Sequence, residues 1–120
     1  MIPTISETDF QKLDEVLEKK QSHYKKFLAS LMNKFKKVKE YEISKKTVRL
    51  NSVVELWHSV FNKVIKIKIV LPSQENLNAR NISFFSPISM ALIGYTENDL
   101  VTLKSAGINK YLRIMKVTNN

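Results

Sequence analysis

Apolar residues repeat with two different periods along the chain. In the first third, Phe10, Leu13 and Leu17 recur at spacings of three and four, which sets them on one stripe of an α-helix. Ser6 and Asp9 stand where a capping box would open that helix, and Ile5 with Phe10 fits a hydrophobic staple across it. The stripe breaks at the polar run Lys19-Lys20-Gln21-Ser22-His23. Beyond it, Tyr24, Leu28, Leu31, Phe35 and Val38 fall at coiled-coil seam spacings. Two helices on a short polar link predict an antiparallel hairpin over residues 6–40. At about 1.5 Å per residue, sixteen helical residues give an arm of roughly 24 Å.

From residue 46 onward the period shortens to two. In Val64-Ile65-Lys66-Ile67-Lys68-Ile69, isoleucines alternate with lysines, the pattern of a half-buried strand. The segment 52–60 before it reads as a second strand, with Phe61-Asn62-Lys63 as the hairpin turn. Residues 81–85 read as a third strand, and 99–104 and 110–117 as two more around a turn at Ser105 to Asn109. Residues 72–80 form a polar loop. Between the third and fourth strands, Pro87 opens and Gly94 closes a short helix, the usual asymmetry of helix punctuation. The fold class is therefore α+β: a helical hairpin over 1–44, then a small, mainly antiparallel sheet domain with one short helix over 45–120. The strands of 45–120 are expected to bury a core of their own.

Composition narrows the function. A net charge of +9 and a pI near 9.8 favour an acidic partner: nucleic acid, a nucleoprotein machine or an anionic surface. The chain has no cysteine, which removes disulfides, thiolate metal sites and a cysteine nucleophile. Met1-Ile2-Pro3-Thr4 runs into acidic helix-forming sequence, without the basic-then-apolar order of a secretory signal. The apolar stretch from Phe84 to Tyr95 is too short for a bilayer span of about 20 residues. A cytoplasmic protein with no membrane partner is the expectation.

No catalytic constellation is legible. His23 and His58 lie in different halves, and neither has a partner at metal-pair spacing. With glycine only at 94 and 107, no phosphate-cradling loop is predicted. Glu97 and Asp99 flank Asn98 at a spacing open to acid–base work, but a polar turn uses Asn and Asp more commonly. No cofactor, metal or small-molecule substrate is expected. The lysines are more informative. Lys19, Lys20, Lys25 and Lys26 surround the link between the two helices, and Lys25 and Lys26 share helix faces with Lys36 and Lys37. Such a face is either a solvated coiled-coil exterior or a contact to phosphate in a channel, DNA or RNA.

Together these features resemble the Gre transcription elongation factors. The resemblance rests on Ser86-Pro87-Ile88, on Ala91-Leu92-Ile93-Gly94 and on Glu97-Asn98-Asp99-Leu100-Val101, with residues 47–56 similar to the family's lead-in to the same domain. Asn51-Ser52 brings the chain closer to the Rnk-type branch, which has a shortened hairpin. The resemblance implies an FKBP-like sheet domain that docks on RNA polymerase at its secondary channel while the hairpin projects inward. Pro87 and Gly94 make Ser86, Pro87, Ile88, Ser89 and Met90 of this motif a rigid corner, which either serves only to close the sheet domain or also forms the expected polymerase contact, with Ser86, Pro87 and Ser89 facing the partner. In cleavage-stimulating members, acidic residues at the hairpin tip help hold a metal ion for RNA hydrolysis. Here the tip carries Lys19, Lys20 and Lys25 instead, so a non-catalytic regulator is expected. The FKBP-like fold alone would also suggest a peptidyl-prolyl isomerase, whose apolar pocket would have to come from Trp57, Phe61, Phe84 and Phe85. The lysine faces alone would suggest a free nucleic-acid binder.

Overall fold

The computed structural model describes residues 2–20, 25–26, 29–30 and 32–119. After strand β1 (Thr4–Ser6), helix α1 (Glu7–Glu18) opens as its sequence predicts: the Asp9 N–H donates to Ser6 Oγ at 3.0 Å. The reciprocal half of a capping box is missing. The Asp9 carboxylate instead accepts from Arg49 Nε at 2.9 Å, forty residues along the chain. Leu13 and Leu17 are buried and Phe10 is half-buried, with Lys37 Nζ 4.6 Å from its ring centre.

The second helix differs from its expected extent. Lys25, Lys26, Ala29, Ser30 and Met32 are helical, while the seam positions Tyr24, Leu28 and Leu31, and the link residues Gln21, Ser22 and His23, lie outside the described residues. Phe35 follows a turn at the helix end, where its N–H donates to the Met32 carbonyl. Val38 is not helical: strand β2 (Lys36–Val38) pairs in parallel with β1, and the Lys36 N–H donates to the Pro3 carbonyl at 2.9 Å. Val38 extended the seam spacing by coincidence, and pairing with a distant strand overrode that local period.

The sheet has five strands: β3 (Val53–His58), β4 (Lys63–Val70), β5 (Asn81–Ser83), β6 (Leu100–Ser105) and β7 (Ile108–Thr118). Their order is β5-β4-β3-β7-β6, antiparallel except where β5 runs parallel to β4. Short 3₁₀ turns at Pro72–Gln74 and Leu77–Ala79 make that parallel return. A register shift at Glu55/Leu56 leaves Met115 as the extra residue of a bulge in β7. Helix α2 (Pro87–Leu92) joins β5 to β6.

One side of the sheet carries the core. Val54, Leu56, Ile67, Ile69, Leu112 and Ile114 face it, as the alternation in β4 predicts. Leu92 and Ile93 close this core from α2, and Ile5, Leu13, Leu17, Met32 and Phe35 join the same apolar cluster from the N-terminal residues. A single core thus runs across the boundary at residue 44. Phe35 meets Phe84 with ring centres 6.3 Å apart.

Candidate functional site

The corner from Phe84 to Gly94 is fixed at both ends. Ser86 caps α2, its Oγ accepting the Ser89 N–H at 3.3 Å and donating to Ser89 Oγ at 3.0 Å. Pro87 occupies the first helical turn, where its missing N–H costs nothing. At the far end, Gly94 adopts φ +87°, and its N–H donates to the Val48 carbonyl at 2.8 Å. A Cβ at Gly94 would lie 2.6 Å from Pro3 Cβ and 2.7 Å from the Thr4 nitrogen. The N-terminal strand can therefore reach the corner only because residue 94 has no side chain.

The arm also touches the corner. Lys34 Nζ donates to the Met90 carbonyl, placing a cation at the carbonyl end of α2. Burial pushes the Lys34 ammonium below the ordinary lysine pKa. On the solvent side Pro87 is exposed and Ser86 and Ile88 are half-buried. Ser89 and Met90 are not: Ser89 has 0% exposure and Met90 is in the core. The expectation that Ser89 faces a partner is thus corrected. Its hydroxyl turns inward because it completes the Ser86 cap. A cleft of about 320 Å³ lies beside the exposed edge, lined by Pro72, Glu75, Ser83, Phe85 and Ser86. Glu75 is held there by the Ser83 N–H, which donates to its carboxylate at 2.9 Å.

The lysines of the tip are less uniform than the sequence suggests. Lys25 pairs with Glu18 at 2.9 Å, so the tip is partly neutralised. Lys19 and Lys20 line a cleft of about 370 Å³ together with Val16, Pro72 and Ser73, so the end of α1 lies beside the sheet domain. Lys26 is exposed. Among the described residues no group of three or more His, Asp or Glu side chains is placed to hold a metal ion.

The carboxylates of the 97–99 turn are in structural service. Asp99 accepts from the Thr96 N–H at 2.9 Å, Glu97 accepts from the Val117 N–H at 2.9 Å, and Asn98 between them takes φ +76°. The aromatic residues do not converge on a pocket either. Phe84 is in the core, Phe61 is exposed in the β3–β4 turn, and Trp57 lies on the outer side of the sheet.

Sequence reasoning missed the polar clamp that joins arm and sheet domain. Arg49 donates through Nε to Asp9, and through Nη2 to Ser6 Oγ at 3.1 Å and to Glu40 at 2.6 Å. The Asp9 side chain is 5% exposed and that of Arg49 20%. The hydrogen bond to Asp9, then that to Glu40, holds Arg49 more firmly protonated than usual. Burial pushes the Glu40 carboxyl up, but hydrogen bonds from Arg49 and Ser6 outweigh it and leave the group below its ordinary range. Nearby, Ser52 donates to Asn119 Oδ1, and Asn119 Nδ2 donates to the Lys45 and Thr47 carbonyls. The sequence had placed Asp9 in a capping box with Ser6, and no local pattern ties it to Arg49, forty residues on.

With this geometry in view, similarity to known proteins can be stated. A family model described as "Transcription elongation factor, GreA/GreB, C-term" matches residues 43–119, more than half of the chain. A solved structure of a prokaryotic transcription elongation factor GreA/GreB from Nitrosomonas europaea superposes with TM-score 0.74 at 24% identity, covering 99% of each chain. The Gfh1 protein of Thermus aquaticus superposes with TM-score 0.55 at 16% identity, covering 99% of this chain and 100% of its own. The "GreA factor homolog 1 (Gfh1)" of Thermus thermophilus gives 0.50 at 17%, with the same coverage. These structures share the fold. No curated protein sequence matches the chain.

Proposed function

The chain belongs to the GreA/GreB transcription elongation factor family through residues 43–119, and from that premise we propose that it binds RNA polymerase and regulates transcription without stimulating RNA cleavage. Docking uses the exposed edge of the corner, Ser86-Pro87-Ile88, with Ser89 and Met90 holding it from inside. The observation that carries this reading is the double fixation of that corner. Pro87 and the Ser86 cap set one end, and Gly94 packed against Thr4 sets the other. A surface with so little freedom loses little entropy on binding. The adjacent cleft beside Phe85 offers an apolar wall to a partner side chain.

In this reading the N-terminal helices form a short hairpin of the Rnk type, directed at the polymerase secondary channel. Stimulated cleavage would require carboxylate oxygens at the tip to share a magnesium ion. Glu18, the acid nearest the tip, is paired with Lys25, and Lys19 and Lys20 follow it. Ammonium groups there repel a divalent cation, so the arm acts by occupancy and charge and not by chemistry.

Two experiments test the proposal. Core RNA polymerase from the same source should retain the protein in a pull-down, and Pro87→Arg should abolish retention with an unchanged circular dichroism spectrum. A backtracked elongation complex with labelled transcript should show no faster release of short 3′ fragments when the protein is added across a range of magnesium concentrations. Faster release would reject the non-catalytic part and direct attention to Asp14, Glu15 and Glu18.

A further inference from the structure

Among the described residues, the α-helices and the core occupy one side of the sheet, and the other side presents its strand side chains to solvent. Strand register fixes which residues share it. Trp57 stands between Val64 on β4 and Arg113 on β7; Glu55 stands between Lys66 and Lys116; Val53 pairs with Lys68. Tyr111, Arg113 and Lys66 are exposed, and Trp57 is half-buried among its neighbours. Around the single acid Glu55, this face therefore presents a row of cations with an indole at one end.

The cationic end is concave. Lys66, Lys68 and Arg80 line a cleft of about 400 Å³ whose remaining walls include Val53 and Ala79. Among the described residues none of the three cations is in an ion pair. Backbone geometry seats Arg80 beside β4, where it leads into β5: its carbonyl accepts the Lys68 N–H at 3.0 Å, and its φ of +58° ends the 3₁₀ turn Leu77–Ala79. The aromatic end is also preorganised. Trp57 Nε1 donates to Asn62 Oδ1 at 3.3 Å, which anchors the indole to the β3–β4 turn. Val53 and Trp57 are four residues apart on one strand, about 13 Å at roughly 3.3 Å per residue.

We propose that this outer sheet face binds single-stranded nucleic acid, with backbone phosphates at Lys66, Lys68 and Arg80 and a base stacked on Trp57. Charge selects a polyanion, and the platform selects among polyanions. An acidic protein segment carries a ring only where an aromatic residue happens to fall, whereas every nucleotide of a strand joins a phosphate to a flat base, and duplex nucleic acid keeps its bases stacked inside. A single strand supplies both phosphates and free bases. The residues of this site are different from those of the Ser86–Ile88 corner and from the lysines of the tip.

Trp57 is the only tryptophan in the chain, so its fluorescence reports the site directly. The full chain is titrated with a twelve-nucleotide oligouridine, the matching oligothymidine, a twelve-base-pair duplex and polyglutamate, over a range of salt concentrations. Both single strands should quench Trp57 and bind; duplex and polyglutamate should leave its emission unchanged. Lys66→Gln with Lys68→Gln and Arg80→Asn should weaken single-strand binding about tenfold or more, and should flatten the log–log salt slope by roughly 0.7 for each lost phosphate contact. Asn is chosen at 80 because it tolerates the left-handed backbone. Lys19→Glu with Lys20→Glu should leave the Trp57 quench intact. Unchanged affinity in the folded triple variant, or equal quenching by polyglutamate, would overturn the assignment. The assay contains no polymerase, so its failure leaves the docking corner untouched, and a failed pull-down leaves this face untouched.

Discussion

The corner around α2 and the arm built from α1 and β2 reach rigidity by opposite routes. The corner is determined locally. Ser86, Pro87 and Gly94 set its backbone within nine residues, and each acts through its own conformational preference. The arm is determined at a distance. Leu13 and Leu17 are buried only because they meet the sheet's core, and the N-terminus of α1 is held by Arg49. A docking surface benefits from the first route, since the Ser86-Pro87 edge is set by its own neighbours, and only the far end leans on distant residues, where Gly94 packs against Thr4 and donates to Val48. An element attached by the second route transmits any change at its seat. The two regions also meet, at Lys34 with Met90 and at Thr4 with Gly94.

The sharpest way to break this comparison is to loosen the arm and watch the sheet. Leu13 has 0% exposure, so Leu13→Ala should cost roughly 3–5 kcal/mol. Because the core is continuous, Trp57 fluorescence and helical circular dichroism should shift to one lower urea midpoint. Two separate transitions, with Trp57 unmoved, would show the arm to be an independent appendage. Next in size is Gly94→Ala, which forces a left-handed alanine against Pro3 and the Thr4 backbone. A loss of about 2–4 kcal/mol is expected. An undisturbed melting temperature would mean that β1 is not seated on the corner.

Asp9→Ala should cost less, roughly 1–3 kcal/mol, by leaving the Arg49 guanidinium without its buried carboxylate partner. Amide hydrogen exchange should rise first in the opening turn of α1 and not in α2. Equal rises in both would erase the distinction between a clamped arm and a locally fixed corner. The smallest effect concerns acid. Glu40 has its folded pKa below its ordinary value of 4.5, so as pH falls the unfolded chain takes up the proton first. Stability from this contact is present above that value and is lost as pH drops through the folded pKa. Glu40→Gln should flatten the acid limb of the urea midpoint slightly, because Glu40 is largely exposed.

The same contrast explains what could be read from sequence. The strands of residues 53–70 and the brackets of α2 were legible, because alternation, proline and glycine act over a few positions. The three-residue pairing of β1 with β2 was not, since neither strand has an alternating pattern long enough to register and its partner lies thirty residues away. Val38 was drawn into a helical seam for that reason. The inward turn of Ser89 was also hidden: a six-residue helix is too short for its stripe to reveal which face is buried. Arg49 looked like one cation among twenty basic residues; only the fold brings Asp9, Glu40 and Ser6 to it. The outer face with Trp57 needed strand register before its cations could be assigned to one side.

The central claim is that the corner is a polymerase docking surface. Its most direct test is sedimentation of the protein with core RNA polymerase, alongside the Pro87→Arg variant. Pro87 is exposed and its replacement spares the Ser86 cap, so the variant should keep its fold, with a loss of about 1 kcal/mol at most from freeing the backbone that the proline had set. The account predicts that the parent protein migrates with polymerase and the variant does not. A folded variant that migrates with polymerase as well as the parent, or a parent that never does, would contradict it.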